Sequence, residues 1–145
     1  MITVKEISNR KDLRKAQDIR YEVFVIGQKV PVEDEVDEFE TTSTHYLAFL
    51  NNNPVGAARW RFTEKGVKLE RFAVLDAYRG RGVGSSMVIR ILNDIKNHPD
   101  AKGKEIYLHS QLDAARLYRK FGFVKYGDIF NESGIMHYAM RLIDK

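Results

Sequence analysis

One stretch constrains this chain more than any other. Arg79-Gly80-Arg81-Gly82-Val83-Gly84-Ser85 lies between a strand-like apolar run and a strongly periodic helical run. Three glycines let the backbone come close to a ligand and adopt positive φ. The first N–H groups of the following helix have no partners inside it. With the helix dipole they form a cradle for an anion, and Arg79 and Arg81 add mobile positive charge. A phosphate or pyrophosphate is the expected ligand; the plain alternative is a glycine-rich turn that binds nothing. A P-loop is excluded, because Gly84-Ser85-Ser86 lacks its lysine. A dinucleotide fold wants Gly-x-Gly-x-x-Gly and an acid at the end of the next strand. Here the spacing is Gly-x-Gly-x-Gly, and the next strand ends at Leu108-His109.

The elements around the loop follow from periodicity. Thr3 to Ile7 predicts a short strand. Leu13, Ala16, Ile19, Val23 and Phe24 predict an amphipathic helix over residues 11–26, ended by Gly27 and Pro31. Tyr46–Leu50 and Val55–Phe62 predict a hairpin across Asn51-Asn52-Asn53-Pro54. After a turn at Glu64-Lys65-Gly66, Val67, Leu69 and Ala73 alternate with Lys68, Glu70 and Phe72, as in a strand. Beyond the loop, Val83, Met87, Val88, Ile91, Leu92 and Ile95 mark the best helix. Glu105–His109 predicts a strand, Ala114 to Phe121 a short helix stopped by Gly122, and Phe123–Lys125 and Met136–Leu142 two last strands. The order β-α-β-β-β-α-β-α-β-β predicts an α/β (α+β) fold, a mixed sheet with helices on its faces.

Length and charge narrow the class. The 145 residues fit one domain, 1–145, and 43% hydrophobic residues suffice for a core. With no cysteine, disulfides, Cys-ligated zinc and a cysteine nucleophile are excluded. No run approaches the roughly 18 apolar residues of a membrane span. Met1-Ile2-Thr3-Val4-Lys5-Glu6 does not read as a signal peptide, so a cytoplasmic location is the default expectation. The net charge of +4 is uneven: residues 33–40 hold Glu33, Asp34, Glu35, Asp37, Glu38 and Glu40. The 24 Lys and Arg against the remaining 14 acids leave +10 elsewhere. A basic body suits an anionic cofactor or a nucleic acid. However, the basic residues are not clustered with aromatics and match no nucleic-acid motif, so no nucleic-acid partner is expected.

The glycine stretch resembles the pyrophosphate motif Arg/Gln-x-x-Gly-x-Gly/Ala of the GNAT acyltransferases, through Arg79, Gly82 and Gly84. Ala114-Ala115-Arg116-Leu117-Tyr118-Arg119-Lys120-Phe121-Gly122-Phe123 is similar to the family's second segment, Ala-x-x-Leu/Phe-Tyr-x-x-x-Gly-Phe. Both stand in the family's order. The resemblance implies a GNAT fold: a sheet of about six to seven strands with a splayed central pair, flanked by about four helices. It implies transfer of an acetyl group from acetyl-CoA to a primary amine in a ternary complex, with no metal. Backbone of Phe72, Ala73 and Val74 would hold the pantetheine arm. Arg79, Gly80, Arg81, Gly82, Val83, Gly84 and Ser85 would hold the pyrophosphate. The family often has Asn where this chain has Gln111, whose amide can bond backbone or cofactor.

The resemblance gives Tyr118 the role of donating to the departing thiolate; its helical neighbours Leu117 and Phe121 equally suit a core tyrosine. Glu70 is the base candidate, since an alkyl ammonium with a pKa of about 10.4 must lose a proton before attack. An ion pair with Lys68 or Arg59 is its bland alternative. His109 and His137 are candidates for substrate contact or proton relay. Glu35 and Asp37, in the acidic run, are candidates to attract an ammonium; such a run also suits a solvated face. The acceptor is a small-molecule or protein amine. Family members often dimerise, making a homodimer one expected assembly. The rival within the family is a sensor that binds acyl-CoA without turnover.

Overall fold

The computed structural model describes residues 1–143. Seven strands form one sheet: β1 (Ile2–Glu6), β2 (Thr44–Leu50), β3 (Asn53–Phe62), β4 (Gly66–Val74), β5 (Glu105–Gln111), β6 (Phe123–Glu132) and β7 (Ile135–Leu142). Their spatial order is β1-β2-β3-β4-β5-β7-β6, and only β4 and β5 pair in parallel. Helix α1 (Arg10–Arg20) packs on one face, and α3 (Val83–Lys96) and α4 (Ala115–Arg119) on the other; α2 (Val32–Glu35) is a single turn in the acidic run. Among the described residues, no helix is long and apolar enough to cross a membrane.

The helices form where the sequence supports them. Asn9 caps α1 by accepting from the Asp12 N–H at 2.8 Å, and Ala16 and Ile19 face the sheet. The expected long helix divides: from Tyr21 to Gly27 the chain widens into π-helical turns. Helix α3 buries all six apolar residues that predicted it. Burying side chains of this kind contributes about 1.5–3 kcal/mol each before entropy is counted, so α3 anchors the sheet to the loop that precedes it.

Strand β4 departs from simple alternation at one residue. Arg59 pairs with Glu70 and Ala57 with Ala73, so Arg71 and Phe72 together oppose Ala58. This is a β-bulge, with Arg71 at φ 59°. The bulge corrects the expected facing. Phe72 joins Val67 and Leu69 against α3 and α4, while Ala73 joins the α1 side. Lys68 and Glu70 therefore do not share a face with Phe72.

The same region opens the sheet. Gly66 to Leu69 pair with Glu105 to Leu108, and the two strands part beyond that point. At the closed end a Cβ on Gly66 would stand 2.2 Å from the Glu105 carbonyl oxygen, so only glycine allows this approach. Past Leu108, β5 pairs with β7 alone, and past Leu69, β4 pairs with β3 alone. The expected splayed pair is thus present.

Strand β6 runs far beyond the expected Phe123–Lys125. It continues to Glu132 and turns at Ser133-Gly134, at φ 53° and 82°. Two positive-φ residues joining paired strands is the hairpin geometry that matches strand twist. This brings Glu132 and His137 beside β5.

Candidate active site

The parted strands enclose a cleft of about 630 Å3 that reaches both faces of the sheet. On the α3 side it is lined by Phe72, Val74, Gly80, Gly82, Val83 and Tyr118, and also by Arg79, Gly84 and Ser85, while Ala73 lines it from the α1 side. Gly82 sits before α3 at φ 89° with no side-chain cap, so the first N–H groups of α3 stay free for an anion. Lys120, which the motifs did not mark, donates to Ser85 Oγ at 3.0 Å and adds a cation beside the loop. Arg79 donates to the Val74 carbonyl at 3.3 Å. Arg81 does not line the cleft; its guanidinium lies 5.7 Å from the Tyr78 ring centre.

Tyr118 is 6% exposed and stands edge-on to Phe72, with ring centres 5.6 Å apart. No hydrogen bond within the described residues holds its hydroxyl. Burial pushes the phenol well above its ordinary pKa, so it stays protonated and can donate. The core and donor readings of Tyr118 are compatible: its ring is packed and its position lines the cleft.

On the α1 side the cleft is lined by charged groups, including Glu35, Lys68, Glu70, Arg71, His109 and His137. Most belong to one ion network. Arg20 donates to Glu35 at 2.6 Å and Glu40 at 2.7 Å. Arg59, fully buried, reaches Asp37 at 2.7 Å, Glu70 at 2.8 Å and Glu40 at 3.0 Å. Arg71 reaches Asp37 at 3.0 Å. The acidic run is therefore strapped to α1, β3 and β4 by arginines, and it forms a wall of the cleft. Asp37 itself is not among the lining residues.

Glu70 also contacts Arg61 at 2.9 Å and Lys68 at 3.0 Å. Burial alone would raise its pKa, but Arg61, Arg59 and Lys68 outweigh burial and hold it at about 2. Of the two uses expected for Glu70, ion pairing is the one these contacts support.

The histidines stand where β5 leaves β4. His109 Nδ1 lies 2.9 Å from Glu132 Oε1, and His137 Nδ1 lies 2.8 Å from the Ile135 carbonyl. Phe130 contacts both rings. Gln111 and Gln28 each donate to the other's amide oxygen, at 2.7 and 3.2 Å, and bridge the end of β5 to the residue after the π-helical turns.

The model of the acetyltransferase (GNAT) domain matches residues 13–143. The chain belongs to the GNAT acetyltransferase family. Among relatives, the uncharacterized N-acetyltransferase YjcF of Bacillus subtilis is 38% identical over 133 residues, covering 91% of this chain and 93% of YjcF. The crystal structure of Escherichia coli ElaA aligns at TM-score 0.87 with 26% identity, covering 99% of this chain and all of that one. Arabidopsis thaliana Naa50, in complex with the bisubstrate analogue CoA-Ac-MVNAL, aligns at TM-score 0.73 with 25% identity and 99% coverage of both chains.

Within this GNAT fold the structure brings together nearly all the expected site residues, excepting Arg81 and Asp37. It adds Glu132, Gln28 and Lys120. Only Glu132 had a usable sequence signal: Ser133-Gly134 is a two-residue hairpin turn, which would set Glu132 opposite Ile135.

The network makes a prediction about acid stability. Asp37, Glu40 and Glu70 all have folded pKa values lowered by arginines that outweigh burial. Their contribution is present above the unfolded carboxylate pKa of about 4 and is lost as pH falls through the folded values. The urea midpoint should therefore fall steadily as pH drops from about 5 towards 2. Glu70→Gln should flatten the lower part of that fall. A midpoint constant from pH 6 to pH 3 would show that the network adds nothing to stability.

Proposed function

We propose that this chain transfers an acetyl group from acetyl-CoA to a primary amine, small-molecule or protein-borne, bound together in one complex. The observation that carries this reading is the cleft itself. One mouth has the anion cradle and Tyr118; the other has the ionised wall; they meet where β4 and β5 part.

The residues present fit acetyl-CoA. The free N–H groups at the start of α3, with Arg79 and Lys120 nearby, suit a pyrophosphate. Beyond Leu69 the backbone of β4 on its β5 side meets no strand, and an extended pantetheine amide can pair there as an added strand would. The co-substrate supplies an acyl group on a thiolate leaving group, whose conjugate acid has a pKa of about 8.5 for an ordinary thiol. Tyr118 donates a hydrogen bond to that sulfur as the C–S bond breaks. The burial that raises its own pKa also strengthens the hydrogen bond, because a low-dielectric site screens the developing charge poorly.

Tyr118→Phe tests the role, since it keeps the ring and removes the hydroxyl. It should lower kcat by on the order of 10–100-fold with little change in KM for acetyl-CoA, as expected for a donor that acts in the transition state. An unchanged kcat in the folded variant would reduce Tyr118 to packing.

A further inference from the structure

Acetyl transfer to an alkyl ammonium requires a proton acceptor beside the nitrogen, and Glu70 is poorly suited. Its three cationic partners stabilise the carboxylate so strongly that an ammonium proton would gain little there. Glu35 is tied to Arg20, and Lys68 and Arg71 are cations. His109 stands at the first position of β5 beyond the last pair with β4.

Its geometry is that of an oriented base. A carboxylate can only accept, so at 2.9 Å from Glu132 Oε1 it is His109 Nδ1 that carries the proton. In the neutral ring, Nε2 then holds the free lone pair. Phe130 stands edge-on at 4.9 Å and Tyr107 at 6.1 Å, which limits rotation of the ring. His137 is likewise fixed through Nδ1, but by a backbone carbonyl and not by a carboxylate. Glu132 on β6 and Tyr107 on β5 face His109, Lys68 on β4 and His137 on β7 act on the same Glu132, and Glu70 on β4 lines the same cleft. Strand alternation puts His109 on the sheet face opposite Leu108, which packs in the α3–α4 core with Tyr118. Base and donor therefore approach the split from opposite sides.

We propose that His109, oriented by Glu132, is the general base that deprotonates the acceptor amine. This rests on the acetyl-transfer reading. The N–C bond forms as the C–S bond breaks. Of the two protons the ammonium gives up, one leaves through His109 Nε2 to solvent and one ends on the sulfur. Glu132 is a positioning residue: it fixes the tautomer and stabilises the imidazolium that forms.

The test measures thiol release from acetyl-CoA against pH, using the fastest acceptor in a set of primary alkylamines and lysine peptides. Hydroxylamine serves as a second nucleophile, because it is weakly basic and already neutral near pH 7. Calorimetry with acetyl-CoA and a melting curve confirm that each variant is folded and loaded. His109→Gln should lower kcat/KM for the alkylamine by on the order of 100-fold near pH 7 and remove the acidic limb of the profile. With hydroxylamine the loss should stay below about 10-fold, since no ammonium proton needs removal. Glu132→Gln should shift the acidic limb to lower pH, because the imidazolium loses its counter-charge. A folded His109→Gln variant with the wild-type profile would overturn the assignment, as would equal losses on both nucleophiles. A wild-type protein that releases thiol with neither nucleophile would instead overturn acetyl transfer, and the base with it.

Discussion

Gly82→Val is expected to yield a folded protein whose affinity for acetyl-CoA has fallen at least 100-fold. Gly82 stands at φ 89°, just before α3, where a β-branched residue is strained whatever the surrounding space. An added side chain would meet little of the protein itself; the nearest heavy atom is Ile2 Cδ1, 3.8 Å from a Cβ. The damage is therefore concentrated in the backbone that presents the helix N–H groups. Strain of this kind costs about 1–3 kcal/mol. For a chain near 150 residues that lowers Tm by roughly 2–12 °C, which leaves a folded protein to assay. Calorimetry with acetyl-CoA, set beside a circular dichroism melt, separates the two effects. Unchanged affinity in the folded variant would mean that the loop does not hold the pyrophosphate.

The second large effect concerns stability. Arg59→Leu removes a fully buried guanidinium and leaves Asp37, Glu40 and Glu70 facing one another. Breaking a buried ion pair by deleting one partner costs about 3–5 kcal/mol, because the remaining charge is uncompensated. Tm should fall by roughly 6–20 °C on the same scaling. Arg20 and Arg71 still hold part of the acidic wall, so the damage should centre on the α1 side of the cleft. Acetyl-CoA affinity should change far less than the acceptor KM. A fall of under 3 °C in the single variant would show that the network is only an exposed, screened pair of surfaces.

The loop was legible because its chemistry is local. A strand, three glycines and an uncapped helix start are written in consecutive residues, and the helix that follows buries its whole apolar stripe as its period requires. The second motif placed Tyr118 for the same reason. Resemblance to the family supplied the parted strands, which no count of apolar residues reveals.

What stayed hidden depends on contacts distant in sequence. The acidic run was conspicuous, but its partners Arg20, Arg59 and Arg71 come from α1, β3 and β4, and no spacing rule links them. Charge asymmetry suggested a field for a cationic substrate, whereas the structure commits Glu35, Asp37 and Glu40 to arginines. The bulge at Arg71 was invisible because alternation assumes an unbroken period of two. One extra residue reversed the facing of Phe72 and Ala73. Strand β6 was cut short because Gly127 interrupts it at φ 72°, where the register shifts, and so Glu132 was lost beside His109.

The most direct test of the account is amine-dependent release of free CoA thiol by the wild-type protein, measured beside Tyr118→Phe. Acetyl transfer predicts stoichiometric thiol and acetylated amine with at least one primary amine, and a rate on the order of 10–100-fold lower in the variant. Tight acetyl-CoA binding with no thiol release on any amine would contradict it and leave a protein that senses the acyl carrier without turning it over.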